Sequence, residues 1–222
     1  MRALIGTLIA FLFFGDSHAT SLNLYTPVQI APGTWLLAPT VPGEPEVGVV
    51  IGERSVAVIG APKSGVYARQ ILEHVAELTR KPVSHVIVLS HYCDHACASA
   101  ELADTATVVA SDALDPTGPL VWANDPLDGP EYFAGAGIAR PALVVRTRAT
   151  LDLGGRRIVL EKVPGIATAL VALQPDTRIV WTGALSREQA TPAEASALRA
   201  VLAKLPGYRG AATRAGTQAT PS

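Results

Sequence analysis

Potential metal ligands and acid–base groups are concentrated in one short segment of the chain. Residues 90–97 read SHYCDHAC, which places two imidazoles, two thiols and one carboxylate close together. Imidazole, thiolate and carboxylate are ligands that zinc accepts in proteins, and the thiolates would also suit copper(I). Neighbours on one short loop cannot all face the same ion, so we expect at most one zinc ion. The five side chains are His91, Cys93, Asp94, His95 and Cys97.

The ligand set of such a zinc site has to come from this segment. His95 is the last histidine in the chain, so later loops can supply no imidazole. A catalytic zinc keeps three protein ligands and an open position for a water molecule, whose pKa it lowers. We predict His91, Asp94 and His95 as metal ligands with Cys93 as a further ligand, and Asp94 as the catalytic carboxylate. Alternatively, Cys93 and Cys97 pair as a disulfide, which their spacing allows if the local turn is suitable.

The elements before the cluster would place it at the edge of a sheet. An apolar strand over 84–89 leads directly into the cluster, and ligands of open α/β sheets bind beyond the carboxyl ends of strands. Before it, helical periodicity predicts a helix over 67–79. Two β-branched runs at 47–51 and 55–59, separated by three residues, predict a hairpin.

The elements after the cluster are mostly strands. The segment 111–142 is rich in Pro and Gly, and loops of this length usually cover a site or are mobile. The last helix begins at Thr191, with a capping-box spacing to Glu194 and Pro192 at its first position. Two sheets packed back to back with helices outside would bury all apolar faces, so we predict an α/β fold with a four-layer αββα sandwich. The remaining predicted elements are an edge strand near 34–37, a short helix at 98–103 and strands at 107–110, 143–148, 157–163, 169–173 and 178–182.

The amino terminus has the composition of a signal peptide. Arg2 precedes an apolar stretch at 3–14, and small residues before position 20 suit a signal peptidase; a retained anchor is the alternative. We therefore expect a periplasmic or secreted protein with one domain over 20–210 and a disordered tail over 211–222. The net charge of −1 and the lack of a basic run argue against nucleic acid as a partner. After cleavage, the sequence contains no further run of membrane-spanning length, so we expect no membrane partner but a small-molecule substrate.

The order of these motifs resembles the metallo-β-lactamase superfamily. GVVIGERSVAVIGAPKSG, YARQILEHVAELTRKPV and SHVIVLSHYCDH are similar to the first half of that family, and LDLGGRRIVLEKVPG and VALQPDTRIVWTGAL to its second half. Within this superfamily, the sequence looks similar to the exported zinc metallohydrolases that are associated with quinoprotein pathways. The resemblance implies the αββα sandwich and a zinc-dependent hydrolase.

The sequence departs from this family at the residues that bind metal. The family loop is His-x-His-x-Asp-His, and matching its end to Asp94 and His95 puts Ser90 and Tyr92 at the two leading histidines. If His91 is instead matched to the first histidine, Cys93 takes the second and His95 the Asp position. In either alignment the family's set of metal ligands is incomplete. The resemblance still implies that the loops that carry those ligands in the family converge on the cluster. The other positions where the family has a residue that is missing here are Gly60, which precedes the cluster, and Ala167 and Ala184, which follow it.

These departures favour a degenerate, weakly active or non-catalytic protein whose groove serves as a binding or scaffold surface. The second hypothesis is a mononuclear zinc hydrolase of an ester, amide or thioester. The third is a thiol or metal-handling protein built on the two cysteines, since thiols beside imidazole are often reactive.

Overall fold

The computed structural model of the chain describes residues 23–42, 44–119, 134–186, 190–205 and 207–211. The predicted signal peptide, the predicted tail beyond residue 211 and residues 120–133 of the long loop lie outside these ranges. Within them, no helix combines the length and apolar character needed to cross a membrane.

The first sheet contains seven strands arranged in chain order. Its first four strands form an antiparallel meander, and the remaining three add in parallel. Parallel neighbours need crossover connections, and helix α1 (Gly65–Leu78) provides the first of them. The strands are β1 (Tyr25–Ala31), β2 (Thr34–Pro39), β3 (Val47–Ile51), β4 (Val56–Ile59), β5 (Val83–Ile87), β6 (Thr107–Ser111) and β7 (Leu143–Val145).

The second sheet contains five strands in the order β12-β11-β10-β9-β8. Strands β8 to β11 are antiparallel, whereas β12 pairs in parallel with β11. Helix α4 (Pro192–Leu202) begins with the predicted capping box, in which Thr191 and Glu194 exchange hydrogen bonds. The strands are β8 (Arg148–Asp152), β9 (Arg157–Lys162), β10 (Leu170–Gln174), β11 (Ile179–Trp181) and β12 (Arg209–Ala211).

Three apolar cores define the predicted four layers. Along β5 and the residues after it, Val86 and Val88 face the core under α1, whereas Ile87 and Leu89 face the core between the sheets. A third core lies between the second sheet, which contributes Val180, and α4, which contributes Leu198. Because strand side chains alternate between faces, this double burial explains why residues 86–89 are continuously apolar. The αββα sandwich is therefore confirmed.

Three element predictions needed correction. The run predicted as one strand over 143–148 is divided, because the chain passes from β7 in the first sheet to β8 in the second. Residues 25–31 form the edge strand β1, where no strand was predicted, so the predicted edge strand near 34–37 is the interior strand β2. Strand β12 was not predicted and includes Ala211, the first residue of the tail that we expected to be disordered; it is defined by its pairing with β11 and not by an apolar pattern.

Candidate functional site

The cluster follows β5 at its carboxyl end, as predicted, and is wound into a helical turn. Helix α2 (Cys93–Ala96) begins right after Tyr92, whose carbonyl accepts a hydrogen bond from the His95 N–H at 2.9 Å. Asp94 and His95 are buried, with 4% and 6% of their surface exposed, whereas His91 is partly exposed. Helix α3 (Ser99–Leu102) continues the chain towards β6.

A disulfide closes this helical turn. Cys93 and Cys97 are bonded to each other with their Cα atoms 4.6 Å apart, and both residues are fully buried. A sulfur in a disulfide is not a thiolate, and the thiolate is the form that binds metal. The assignment of Cys93 as a zinc ligand is therefore wrong for this form of the chain. The pairing that the sequence left as an alternative is the one found.

Backbone hydrogen bonds hold the turn against the loop that follows β4. The Ala61 N–H donates to the His95 carbonyl at 3.0 Å, and the Lys63 N–H donates to the Cys93 carbonyl at 2.9 Å. In return, the Ala98 N–H donates to the Ala61 carbonyl at 2.9 Å. The position of α2 is thus fixed from both of its ends by main-chain contacts.

A buried ion pair anchors that loop in turn. The Lys63 ammonium lies 2.7 Å from Glu44 Oε1, and both side chains are almost fully buried. The Tyr67 hydroxyl donates to the other Glu44 oxygen at 2.7 Å. Lys63 itself has a φ of +55°, a conformation that costs a non-glycine residue about 1 kcal/mol or more. The Tyr25 ring packs edge-on against Tyr67, and burial and the Glu44 charge raise the pKa of Tyr25.

Loops of the second sheet reach the cluster from the opposite side. The Thr168 hydroxyl lies 2.9 Å from His91 Nδ1, and the His91 ring stacks on Tyr92 with centroids 4.2 Å apart. The Tyr92 hydroxyl in turn lies 3.4 Å from a Glu194 oxygen at the start of α4. The β9–β10 loop, which carries Ala167 and Thr168, therefore meets the cluster as the resemblance implied.

The loop with Ala184 also lies beside the end of β5. Gly183 begins the 3-10 helix Gly183–Ser186, and a Cβ atom added to it would lie only 2.8 Å from the Cβ of Leu89. Residues that follow β5 and β11 are therefore in direct contact, and Ala184 stands next to that contact.

Sequence reasoning missed three residues of this region. Thr168 lies in a loop without a motif and contacts His91 from 77 positions away. Glu44 and Lys63 each read as ordinary loop charges, and only the fold buries them together. No local sequence signal joins these two charges, because they lie 19 positions apart in separate loops.

The donors present in the described part of the chain do not fit a zinc centre. No three His, Cys, Asp or Glu side chains come together there in a way that could hold a metal ion. Ser90 stands at the family's first histidine if Asp94 and His95 are matched to the end of the family loop, and its hydroxyl is buried without a hydrogen-bond partner among the described residues. Asp94 and His95 remain in the turn, but Tyr92, Ala167 and Ala184 offer neither imidazole nor carboxylate beside them.

Comparison with solved structures identifies the fold. A metallo-β-lactamase from Pontibacter korlensis superposes with a TM-score of 0.64 at 15% identity, over 85% of this chain and 90% of that protein. One from Erythrobacter litoralis gives a TM-score of 0.63 at 15% identity, over 85% of this chain and 88% of that protein. The chain has the metallo-β-lactamase fold.

Other proteins with the metallo-β-lactamase fold act on different substrates. The sec-alkylsulfatase Pisa1 from a Pseudomonas species superposes with a TM-score of 0.60 at 13% identity, over 86% of this chain but 38% of the sulfatase. By sequence, no family model and no curated protein matches the chain. At such identities the likeness concerns the fold, and the activity has to be argued from this chain's own residues.

Proposed function

We propose that this chain is an exported, non-hydrolytic protein of the metallo-β-lactamase fold, whose groove binds a small molecule without chemical conversion. The observation that carries the proposal is the disulfide between Cys93 and Cys97, which lies inside the loop that would bind metal. Disulfides persist in oxidising compartments, which supports export to the periplasm or the exterior.

The way the cluster is held supports a role without a metal. In a zinc enzyme the ion and the second-shell hydrogen bonds orient the ligand loop together. Here the disulfide, the hydrogen bonds from Ala61 and Lys63, and the Thr168–His91 contact hold that loop. Such a loop keeps its shape in the absence of an ion, as a binding surface requires.

A role in thiol exchange is less compatible with the geometry. Reactive cysteines are partly exposed, so that an attacking thiolate can reach the sulfur. Cys93 and Cys97 lie in the turn itself and are fully buried, and the loop after β4 packs against them. The disulfide therefore serves to stabilise the turn in this proposal.

Metal analysis combined with activity assays tests the proposal. The purified mature protein is loaded with zinc, dialysed and measured for bound metal, with and without reductant, and then assayed with β-lactam and simple ester substrates. We expect no more than one zinc ion per chain and negligible turnover, because the ligands of a catalytic site are missing.

Two variants make the assay decisive. His95→Ala removes an imidazole of the cluster, and His74→Ala removes one from helix α1, where His74 pairs with Glu77. Robust hydrolysis that depends on zinc, is lost in His95→Ala and persists in His74→Ala would refute the proposal. With one ion that result would establish a mononuclear hydrolase, and with two ions a dinuclear one.

A further inference from the structure

An open pocket lies beside the cluster, between the two sheets' loops. It has a volume of about 470 Å³ and is bounded by the β7–β8 connection, the end of β9 and the β9–β10 loop. Ala167 belongs to its wall, and the next residue, Thr168, contacts His91. The pocket therefore lies next to the cluster, on the side of the β9–β10 loop.

The charge of this pocket is positive. Arg146 and Lys162 both belong to its wall. The Lys162 ammonium is hydrogen-bonded to the Asp112 carboxylate, so these two charges balance each other. Arg146 is exposed and makes no hydrogen bond or ion pair with any described residue. Among the described residues of the pocket wall, its guanidinium is thus the unbalanced charge.

The β9–β10 loop contributes backbone amides and apolar side chains to the wall of this pocket. Residues 163–166 form a tight turn with Pro164 and Gly165 at its centre, where Gly165 has a φ of +82° and the Ile166 N–H returns to the Val163 carbonyl. This is the arrangement of a type II turn. The N–H groups of Gly165 and Ala167 donate to no described residue. Val163 and Pro164 add apolar wall.

We propose that this pocket binds a small organic anion, with the charged head at Arg146 and the apolar part against Val163 and Pro164. The planar guanidinium matches a carboxylate or a tetrahedral oxyanion with two parallel hydrogen bonds, and such charge-assisted bonds are strong. A pocket with one unbalanced positive charge suits a monoanion better than a polyanion, because Asp112 lies close behind Lys162. This inference names the ligand class for the binding role proposed above and rests on it.

Titration of the ¹⁵N-labelled, oxidised protein tests the inference. Benzoate and benzenesulfonate, which are both monoanions, serve as probes for the planar and the tetrahedral head, at constant ionic strength and against chloride as the reference salt. We expect saturable shifts of the Gly165 and Ala167 amide signals with at least one probe. The probe that binds more tightly identifies the preferred head group.

A matched pair of arginine variants decides whether the binding is specific. Arg146→Gln should weaken binding about tenfold or more, which corresponds to about 1.4 kcal/mol. Arg148→Gln removes the same charge two residues away, where the guanidinium pairs with Glu161, and should leave the affinity unchanged. No saturable binding at millimolar concentration, or an equal loss in both variants, would overturn the inference.

The hydrolysis assay and the anion titration together separate a failure of this inference from a failure of the function proposed above. Zinc-dependent hydrolysis together with binding at Arg146 would refute the non-hydrolytic role and keep the anion site. An inert protein without binding to either probe would refute the anion site alone.

Discussion

At the scale of single residues, covalent and ionic contacts hold the turn that metal ligands hold in a zinc enzyme. The Cys93–Cys97 bond closes α2, and the Lys63–Glu44 pair fixes the loop that clamps it. Both features are buried, so each acts in surroundings where its removal is costly. Two predictions test these residues separately.

Removing the disulfide should destabilise the protein moderately. Cross-linking closes a loop of only five residues, and the chain-entropy relation assigns about 2 kcal/mol to a loop of that size. We therefore expect Cys93→Ala/Cys97→Ala to lower the free energy of unfolding by about 2 kcal/mol in urea. Reductant should have no effect on the variant. A variant as stable as the oxidised parent would show that the bond does not stabilise the turn.

Breaking the buried ion pair should cost more. Lys63→Met leaves the Glu44 carboxylate buried without its cation, and such a loss costs about 3–5 kcal/mol. Adding Glu44→Gln removes the charge but keeps an acceptor for Tyr67, so the double variant should recover part of the stability. Urea unfolding of both variants measures the coupling. If Glu44→Gln gives no recovery in the Lys63→Met background, the pair is not the source of the effect.

Part of the candidate site was readable from the sequence. The position of His91, Asp94 and His95 after a buried strand followed from the apolar run before them. The disulfide remained one of two alternatives, because spacing alone does not determine whether the turn brings two sulfurs together. The Thr168–His91 contact joins residues 77 positions apart, and no local pattern encodes such a pairing.

At the scale of elements, the turns of two hairpins interlock at the end of the sandwich that carries the β3–β4 connection. The Glu53 N–H donates to the Gly154 carbonyl at 2.7 Å, and the Arg54 N–H donates to the Leu153 carbonyl at 2.9 Å. The β3–β4 turn of the first sheet thus pairs with the β8–β9 turn of the second. Gly52 allows this approach, because a Cβ there would lie 2.2 Å from the Leu153 carbonyl oxygen.

A methyl group at this contact should therefore destabilise the fold. Gly52→Ala would force the two turns apart, and overpacking of this kind costs about 1–3 kcal/mol. Gly137→Ala is the matched control, since its Cβ would meet Ala100 at 3.3 Å with no backbone clash. The difference in the midpoint of thermal unfolding measures the effect. Equal midpoints for the two variants would mean that the turns separate at little cost.

Local patterns predicted most elements but not where the chain changes sheets. Apolar runs identified β3, β4 and β5, and helical periodicity identified α1, because the burial of these elements depends on faces that recur along the sequence. The break between β7 and β8 falls at Arg146 and Thr147, inside what reads as one strand. Only the pairing of each half with a different sheet distinguishes β7 from β8. Strand β12 is likewise recognisable only from its pairing with β11.

At the scale of the whole molecule, a polar bridge crosses the core between the sheets. Trp181 on β11 is fully buried, and its indole N–H donates to Gln174 Oε1 at 3.0 Å. The Gln174 amide then donates to the Thr34 hydroxyl of the first sheet at 3.0 Å. Gly48 leaves room for the indole, because a Cβ there would lie 2.8 Å from it. The sandwich is thereby joined through satisfied polar groups as well as apolar contact.

The stability of this sandwich should depend on pH through His85. This residue lies in β5 with its Nδ1 2.8 Å from the Ser84 hydroxyl, and burial lowers the pKa of His85 below its ordinary value of 6.5. In the unfolded chain the imidazole takes up a proton as pH falls through about 6.5, whereas in the folded chain it stays neutral to lower pH. The unfolded state binds more protons in this window, so stability falls as the solution becomes more acidic.

Replacing this side chain should remove that part of the pH dependence. We expect His85→Gln to lose less stability than the parent between pH 8 and pH 5.5, measured as free energies of unfolding in urea. Asp112, Asp115 and Asp152 have lowered pKa values and titrate below this window, and the other histidines are common to both proteins. A variant whose stability falls as steeply as that of the parent would show that His85 takes up its proton equally readily in the folded sandwich and in the unfolded chain.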